Sequence, residues 1–189
     1  MLIFGVILEY IVLEKIFYLY QRYKSVVIND GQMKFTLLLS GKTNKNHLSE
    51  GIQIYKKRIE RYVPFGIEIA PEIKKKGNLT EQEIKNREGK ELLKRIPSDA
   101  LLFLLDERGK EYTSMEFSNF LNIQLTQARK DIIFAIGGPY GFSDEIIERS
   151  NLKLSLSKMT FSHQIIRLIF LEQLYRAFTI LKGEPYHHG

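Results

Sequence analysis

Cysteine is absent from this chain of 189 residues. Its absence excludes disulfide bonds, thiolate nucleophiles and zinc sites built on cysteine, and it suits a cytoplasmic location. Histidine is scarce as well. The chain has four histidines, His47, His163, His187 and His188. None of these histidines has the spacing of metal ligands on a helix. We therefore expect no metal site.

A long uninterrupted hydrophobic run is also lacking. Residues 1–32 are rich in Ile, Leu, Phe and Tyr, but Glu9, Glu14 and Lys15 interrupt them. A membrane-spanning helix needs roughly 20 predominantly apolar residues, and a cleaved signal needs a basic start and a small-residue cleavage site. Neither pattern is present, so we expect no membrane association through a spanning helix.

An amphipathic helix on a membrane or on the protein's own surface is one interpretation of residues 1–32. The other is an extension outside the fold or a mistaken translation start, because Met33 opens "MKFTLLLSGK", which is typical of a first strand. We favour the second interpretation. It predicts an N-terminal extension over 1–32 and a single domain over 33–189.

The charge balance is basic, with 28 Lys and Arg against 22 Asp and Glu, a net charge of +6. The charges within residues 1–32 cancel, so the excess belongs to the body of the chain. A basic surface is compatible with a polyanionic partner such as nucleic acid, but a charge of this size does not identify one.

Apolar runs alternate with helix-period stretches from residue 33 onward. The pattern predicts strands over 35–40, 67–70, 100–105, 132–136 and 152–156, and helices over 44–62, 80–96, 114–129, 143–149 and 162–181. Most of these strands are apolar on both faces. That pattern is typical of an α/β fold in which a parallel sheet carries helices on both faces.

Three of the predicted turns have unusual sequences: "LLDERGK" at 104–110, "IGGPYG" at 136–141 and "SLSKMTFSH" at 155–163. Each follows a predicted strand, where parallel sheets bind ligands. The glycine turn has neither the Lys-Ser/Thr ending of a P-loop nor the glycine spacing of a dinucleotide-binding loop. Taken singly, each turn could also be an ordinary tight, solvated or helix-capping turn.

Together with "LSKMTFSHQIIRLIFLEQLYRAF" at 156–178 and "PYHH" at 185–188, these motifs resemble the RlmH family of the SPOUT methyltransferases. The resemblance covers the chain from Met33 to the end. It implies a SPOUT-type fold with a C-terminal trefoil knot, S-adenosylmethionine as the cofactor, and a homodimer. It also implies methylation of N3 of a pseudouridine in 23S ribosomal RNA on the assembled ribosome.

The family's cofactor contacts are carried over to matching positions of this sequence. They fall on Leu105, Gly137, Leu156, Ser157, Lys158, Met159, Thr160 and Phe161. The chain departs from the family pattern at Tyr140 and Ser162, one in each of two of these loops.

Methyl transfer to an imide nitrogen requires an in-line approach and removal of the nitrogen's proton. Candidate bases are His163, His187 and His188, and Arg167 could stabilise the developing oxygen charge. Tyr186 is suited to stacking on a base, and we expect the terminal tail to complete the partner subunit's active site. The alternative function is a non-catalytic RNA-binding or ribosome-assembly protein with the same fold.

Overall fold

The computed structural model describes residues 33–73, 79–127 and 130–186. The strands are β1 (Phe35–Ser40), β2 (Phe65–Ala70), β3 (Leu101–Glu111), β4 (Ile132–Ile136) and β5 (Leu152–Ser155). The helices are α1 (Asn46–Ile59), α2 (Glu81–Leu93), α3 (Ser114–Gln127), α4 (Asp144–Arg149) and α5 (Ile165–Lys182). The predicted extension over 1–32 lies outside the described residues.

The five strands form one sheet in the order β2-β1-β4-β3-β5, and every neighbouring pair is parallel. Helices α1, α3 and α5 pack together on one face, whereas α2 and α4 pack on the other. Strand β1 is buried along its whole length. Its side chains alternate between two cores, with Leu37 and Leu39 in the first and Leu38 in the second.

The predicted α/β fold, with a parallel sheet covered on both faces, is therefore confirmed. The trefoil knot stays a prediction. No helix in the described ranges is long and apolar enough to cross a membrane.

Local sequence signals explain two of the helix boundaries. The Thr80 side chain accepts a hydrogen bond from the Glu83 amide at 3.2 Å, and the Glu83 carboxylate accepts one from the Thr80 amide at 2.8 Å. This reciprocal pair is the capping box that starts α2. At the other end of the chain, α5 stops at Gly183, which has a left-handed conformation.

Strand β3 corrects one sequence prediction, because it extends to Glu111 instead of ending at residue 105. Its pairing with β5 shifts register between Leu105 and Lys110. Within this bulge the Asp106 carboxylate accepts a hydrogen bond from the Arg108 amide at 2.9 Å. The segment predicted as a turn is therefore a bulged strand. Its structure depends on pairing with β5, which lies far away in sequence.

Candidate functional site

Strands β4, β3 and β5 are neighbours in the sheet, so the segments that follow them meet at one edge. A cavity of about 640 Å³ lies there, within the usual range for small-molecule sites. Three segments contribute most of its lining: the β3 bulge (105–108), the glycine turn (136–142) and the β5–α5 segment (156–163). The three motifs singled out in the sequence are therefore brought together.

The glycine turn is closed by its own backbone. The Gly141 amide donates to the Gly138 carbonyl at 3.1 Å, and the two residues form an isolated antiparallel bridge. A Cβ at Gly137 would lie 3.2 Å from the Gly141 carbonyl oxygen. Absence of a side chain lets the turn fold this tightly, which leaves backbone groups at the cavity wall.

Hydroxyl groups shape the β5–α5 segment. The Ser155 hydroxyl donates to the Ser157 carbonyl at 2.9 Å, and the Ser157 hydroxyl accepts from the Met159 amide at 2.9 Å. Further along, the Ser162 hydroxyl accepts from the Ile165 amide at 3.3 Å where α5 begins. Two of the hydroxyls thus hold the segment itself, and one caps the helix that follows.

The β3 bulge adds negative charge to the cavity. The Thr160 hydroxyl donates to the Glu107 carboxylate at 2.7 Å, which ties the bulge to the β5–α5 segment. Burial by itself would raise the pKa of the Asp106 carboxyl, but hydrogen bonds and charge from Arg108 outweigh burial and hold that pKa below its ordinary value. Asp106 is therefore an anion at neutral pH. Reasoning from the sequence had singled out Leu105 in this motif and missed Asp106.

Most of the predicted cofactor residues line the cavity, namely Leu105, Gly137, Leu156, Ser157, Met159, Thr160 and Phe161. Lys158 does not line it: its side chain is 88% exposed, and its ammonium group lies 3.9 Å from a carboxylate oxygen of Glu111. The contacts of these residues with a cofactor stay a prediction. Within the described ranges, no group of His, Asp or Glu is placed to hold a metal ion.

His163 lines the cavity at the start of α5. Burial and the nearby charge of Arg167 lower the pKa of its imidazole, although Glu72 acts in the opposite direction. The imidazole is therefore mostly neutral at neutral pH and has a free nitrogen that can accept a proton. This environment suits a general base.

Arg167 does not line the cavity, unlike His163. Its side chain is fully buried, and its guanidinium donates to the Thr43 hydroxyl at 2.9 Å and to the Ser40 carbonyl at 2.8 Å. Burial lowers the pKa of the guanidinium to about 10, which still leaves it charged at neutral pH. The structure thus has Arg167 joining α5 to the end of β1, and its role beside the reacting oxygen stays a prediction.

Arg167→Ala should therefore destabilise the fold. The substitution leaves a cavity and removes the donors for the buried Ser40 carbonyl at the end of β1 and for the part-buried Thr43 hydroxyl beyond it, so we expect a loss of about 3 kcal/mol in the free energy of unfolding. Urea denaturation followed by circular dichroism measures this loss. A variant as stable as the wild type would show that the two hydrogen bonds contribute nothing to stability.

Tyr186 lies away from the cavity of its own chain. Its hydroxyl is 3.3 Å from the Tyr55 hydroxyl and donates to the Glu172 carboxylate at 3.2 Å, and its ring packs edge-on against Tyr175 at 4.8 Å. These contacts dock the start of the tail on α1 and α5. The other predicted tail residue, His187, lies outside the described residues.

Comparison with known proteins gives consistent matches. A family model described as "Predicted SPOUT methyltransferase" matches residues 33–187. "Ribosomal RNA large subunit methyltransferase H" of Parabacteroides distasonis is 50% identical over 156 residues, covering 82% of this chain and 99% of the relative. The protein of the same name from Christiangramia forsetii is 49% identical over 156 residues, with the same coverage.

A solved structure is also similar to this chain. It is the SpoU methyltransferase AviRb from Streptomyces viridochromogenes in complex with the cofactor AdoMet, with 12% identity over 79% of this chain and 59% of that chain. Its TM-score of 0.42 is too low to carry an inference about the site.

Proposed function

The chain belongs to the SPOUT methyltransferase family, and on that premise we propose that it transfers a methyl group from S-adenosylmethionine to ribosomal RNA of the large subunit. Relatives with about half of their residues in common carry that activity in their names and match over almost their whole length. The observation that carries the proposal is the cavity, because residues of all three motifs line it.

The cavity has the chemistry that S-adenosylmethionine requires. This cofactor has an adenine, a ribose, a sulfonium and an amino-acid group, but no phosphate, so a glycine turn without a P-loop lysine suits it. Leu105, Ile136 and Leu156 offer apolar surface for a flat base. The Glu107 carboxylate complements positive charge, whereas the Asp106 carboxylate is paired with Arg108. These residues would hold the cofactor, whose sulfonium supplies the methyl carbon.

The nucleotide that accepts the methyl group is, in our proposal, a pseudouridine of 23S ribosomal RNA on the assembled ribosome, methylated at N3. That nitrogen carries a proton that must leave before or during attack. His163 supports this chemistry because it lines the cavity and its lowered pKa leaves the imidazole unprotonated, the form in which a base accepts a proton. A ribosomal substrate also assigns the protein to the cytoplasm.

Calorimetry with S-adenosylmethionine tests the cofactor assignment. We expect a saturable heat of binding with about one site per chain and a micromolar dissociation constant, typical of enzyme substrates. Absence of binding, together with retained affinity for ribosomal RNA, would instead favour a non-catalytic RNA-binding or ribosome-assembly protein.

A homodimer is part of the proposal. The first two turns of α5 keep several large apolar side chains only partly buried, among them Ile165, Leu168 and Ile169, and nearby Met159 is 76% exposed. A smaller cavity of about 200 Å³ beside Ile169 adds apolar surface on the same side. A twofold partner that covers this surface would remove it from water.

Sedimentation at micromolar concentration should therefore show a particle of twice the 22.1 kDa mass of one chain. A single species at 22.1 kDa would rule out the homodimer.

A further inference from the structure

A buried carboxyl group lies behind the glycine turn. Glu88 is on α2 and is only 2% exposed, and its Oε2 atom has no hydrogen-bond partner among the described residues. The hydroxyl of another buried residue, Ser143, is likewise unpaired in the described part of the chain. Neither residue lines the cavity, so cofactor contacts do not account for them.

Glu88 packs directly against the turn. A Cβ added at Gly138 would lie 2.3 Å from Oε2 and 2.9 Å from Oε1 of Glu88, much closer than atoms can approach. The carboxyl therefore occupies the space that a side chain at residue 138 would need. Close packing of this kind transmits a displacement of one group to the other.

We propose that Glu88 is a positioning residue: its carboxyl supports Gly138 from behind and holds the glycine turn (136–142) in the form that binds the cofactor. This inference rests on the proposed function, since the turn has a binding role only if the cavity holds S-adenosylmethionine. Length and shape of the side chain, more than its charge, are what this role requires.

The environment of Glu88 favours its uncharged form. Burial raises the pKa of the Glu88 carboxyl, and the nearby charge of Glu72 raises it further. Hydrogen bonding to the Ser40 side chain and to the Ile73 backbone lowers the pKa, but the net effect is a raised pKa. Glu72 is the only charged residue that contributes to this shift in the described part of the chain. An uncharged carboxyl avoids the large cost of a buried, unpaired anion. Glutamine, which has the same length and no charge, should therefore replace it well.

Two variants separate length from charge. Glu88→Gln keeps the length and removes the acid, and we expect it to bind S-adenosylmethionine within about twofold of the wild type. Glu88→Asp keeps the acid but withdraws it from Gly138, and we expect binding roughly tenfold weaker or more, which is about 1.4 kcal/mol. Calorimetry of the full-length protein measures both affinities.

Leu92→Ala is the matched control. Leu92 lies one helical turn after Glu88 on α2 and is also only 2% exposed, but it packs into the core. This control should lower the melting temperature and leave the affinity unchanged. A purely structural role for Glu88 predicts instead that affinity follows melting temperature across all three variants.

Stability measured over a series of pH values gives a second test, because a general loss of packing would not change how stability depends on pH. The pKa of the Glu88 carboxyl is raised in the folded protein. The protonated carboxyl therefore contributes fully to the free energy of unfolding at pH values below its ordinary pKa, and this contribution is lost as the pH rises through the raised pKa. Relative to Glu88→Gln, the wild type should therefore lose stability as the pH increases above about 4.5. Equal slopes for the two proteins would contradict the buried, uncharged carboxyl.

The outcomes distinguish failure of the proposed function from failure of the inference about Glu88. If the wild type does not bind S-adenosylmethionine, the proposed function fails and the inference fails with it. If the wild type binds and Glu88→Asp binds equally well, only the inference is overturned. Should Glu88→Asp not fold, Gly138→Ala disturbs the same contact from the other side: weakened binding supports the inference, and unchanged binding overturns it.

Discussion

Gly137→Val should reduce the affinity for S-adenosylmethionine by about 100-fold or more, which is roughly 2.7 kcal/mol. Gly137 is buried, and a Cβ there would already lie 3.2 Å from the Gly141 carbonyl oxygen and 3.3 Å from the Phe142 ring. The two further methyl groups of valine have no space in the turn. We expect the turn to open and the cavity wall to change shape while the sheet stays folded. Calorimetry and circular dichroism on the same sample measure both properties.

Gly66→Val is the matched control for this substitution. Gly66 is on the edge strand β2, and a Cβ there would meet only the flexible end of the Lys34 side chain, at 3.3 Å. Valine is also well suited to a strand. The control should bind the cofactor like the wild type. Normal binding by Gly137→Val would show that this glycine only shapes a turn and has no part in the site.

Removal of residues 187–189 should leave binding of S-adenosylmethionine unchanged but lower the rate of ribosome methylation by about 100-fold or more, the usual contribution of a general base. The deletion removes His187 and His188, two of the three candidate bases, and keeps Tyr186. Keeping Tyr186 preserves its contacts with Tyr55, Tyr175 and Glu172, so the docking of the tail on α1 and α5 is retained. Initial rates with ribosomes that lack the modification measure the effect.

Deletion of Gly189 alone is the control and should leave the rate unchanged. If the chain that ends at Tyr186 methylates ribosomes at the full rate, the tail is dispensable, and the base is to be sought at His163. His163→Ala should then abolish the reaction without a large loss of cofactor binding.

The sequence predicts strand boundaries and helix caps well where the signal lies within a few consecutive residues. Strands β1 and β4 have the predicted boundaries, because short and mostly apolar runs, FTLLLS and IIFAI, define buried strands. The capping box that starts α2 is also a local signal, since Thr80 and Glu83 lie within one turn of helix. Ser143 directly precedes α4, but its side chain makes no capping hydrogen bond.

Features that depend on contacts between distant segments could not be predicted in this way. The extension of β3 requires pairing with β5, and the sequence of the bulge reads as a turn when taken alone. Glu88 stands in a helix among charged residues, where solvent exposure is the ordinary expectation. Its burial follows from the packing of α2 against the glycine turn, which periodicity does not reveal.

The candidate site could be predicted from the sequence only in part. Parallel sheets bind ligands beyond the carboxyl ends of their strands, so the positions of the three loops, together with their unusual sequences, pointed to a site. That they meet at one cavity follows from the strand order, with β3 between β4 and β5. The docking of Tyr186 away from that cavity depends on aromatic contacts with α1 and α5 and had no signal in the sequence.

Methyl transfer to ribosomes tests the proposed function most directly. Ribosomes from a strain that lacks the gene are incubated with the purified protein and S-adenosylmethionine carrying a labelled methyl group, and the 23S RNA is then digested and analysed by mass spectrometry. We predict one label per ribosome, on N3 of a pseudouridine, with little or no label on protein-free RNA. A protein that binds the cofactor but leaves 23S RNA unlabelled on intact ribosomes, on isolated large subunits and on protein-free RNA would contradict the proposed function.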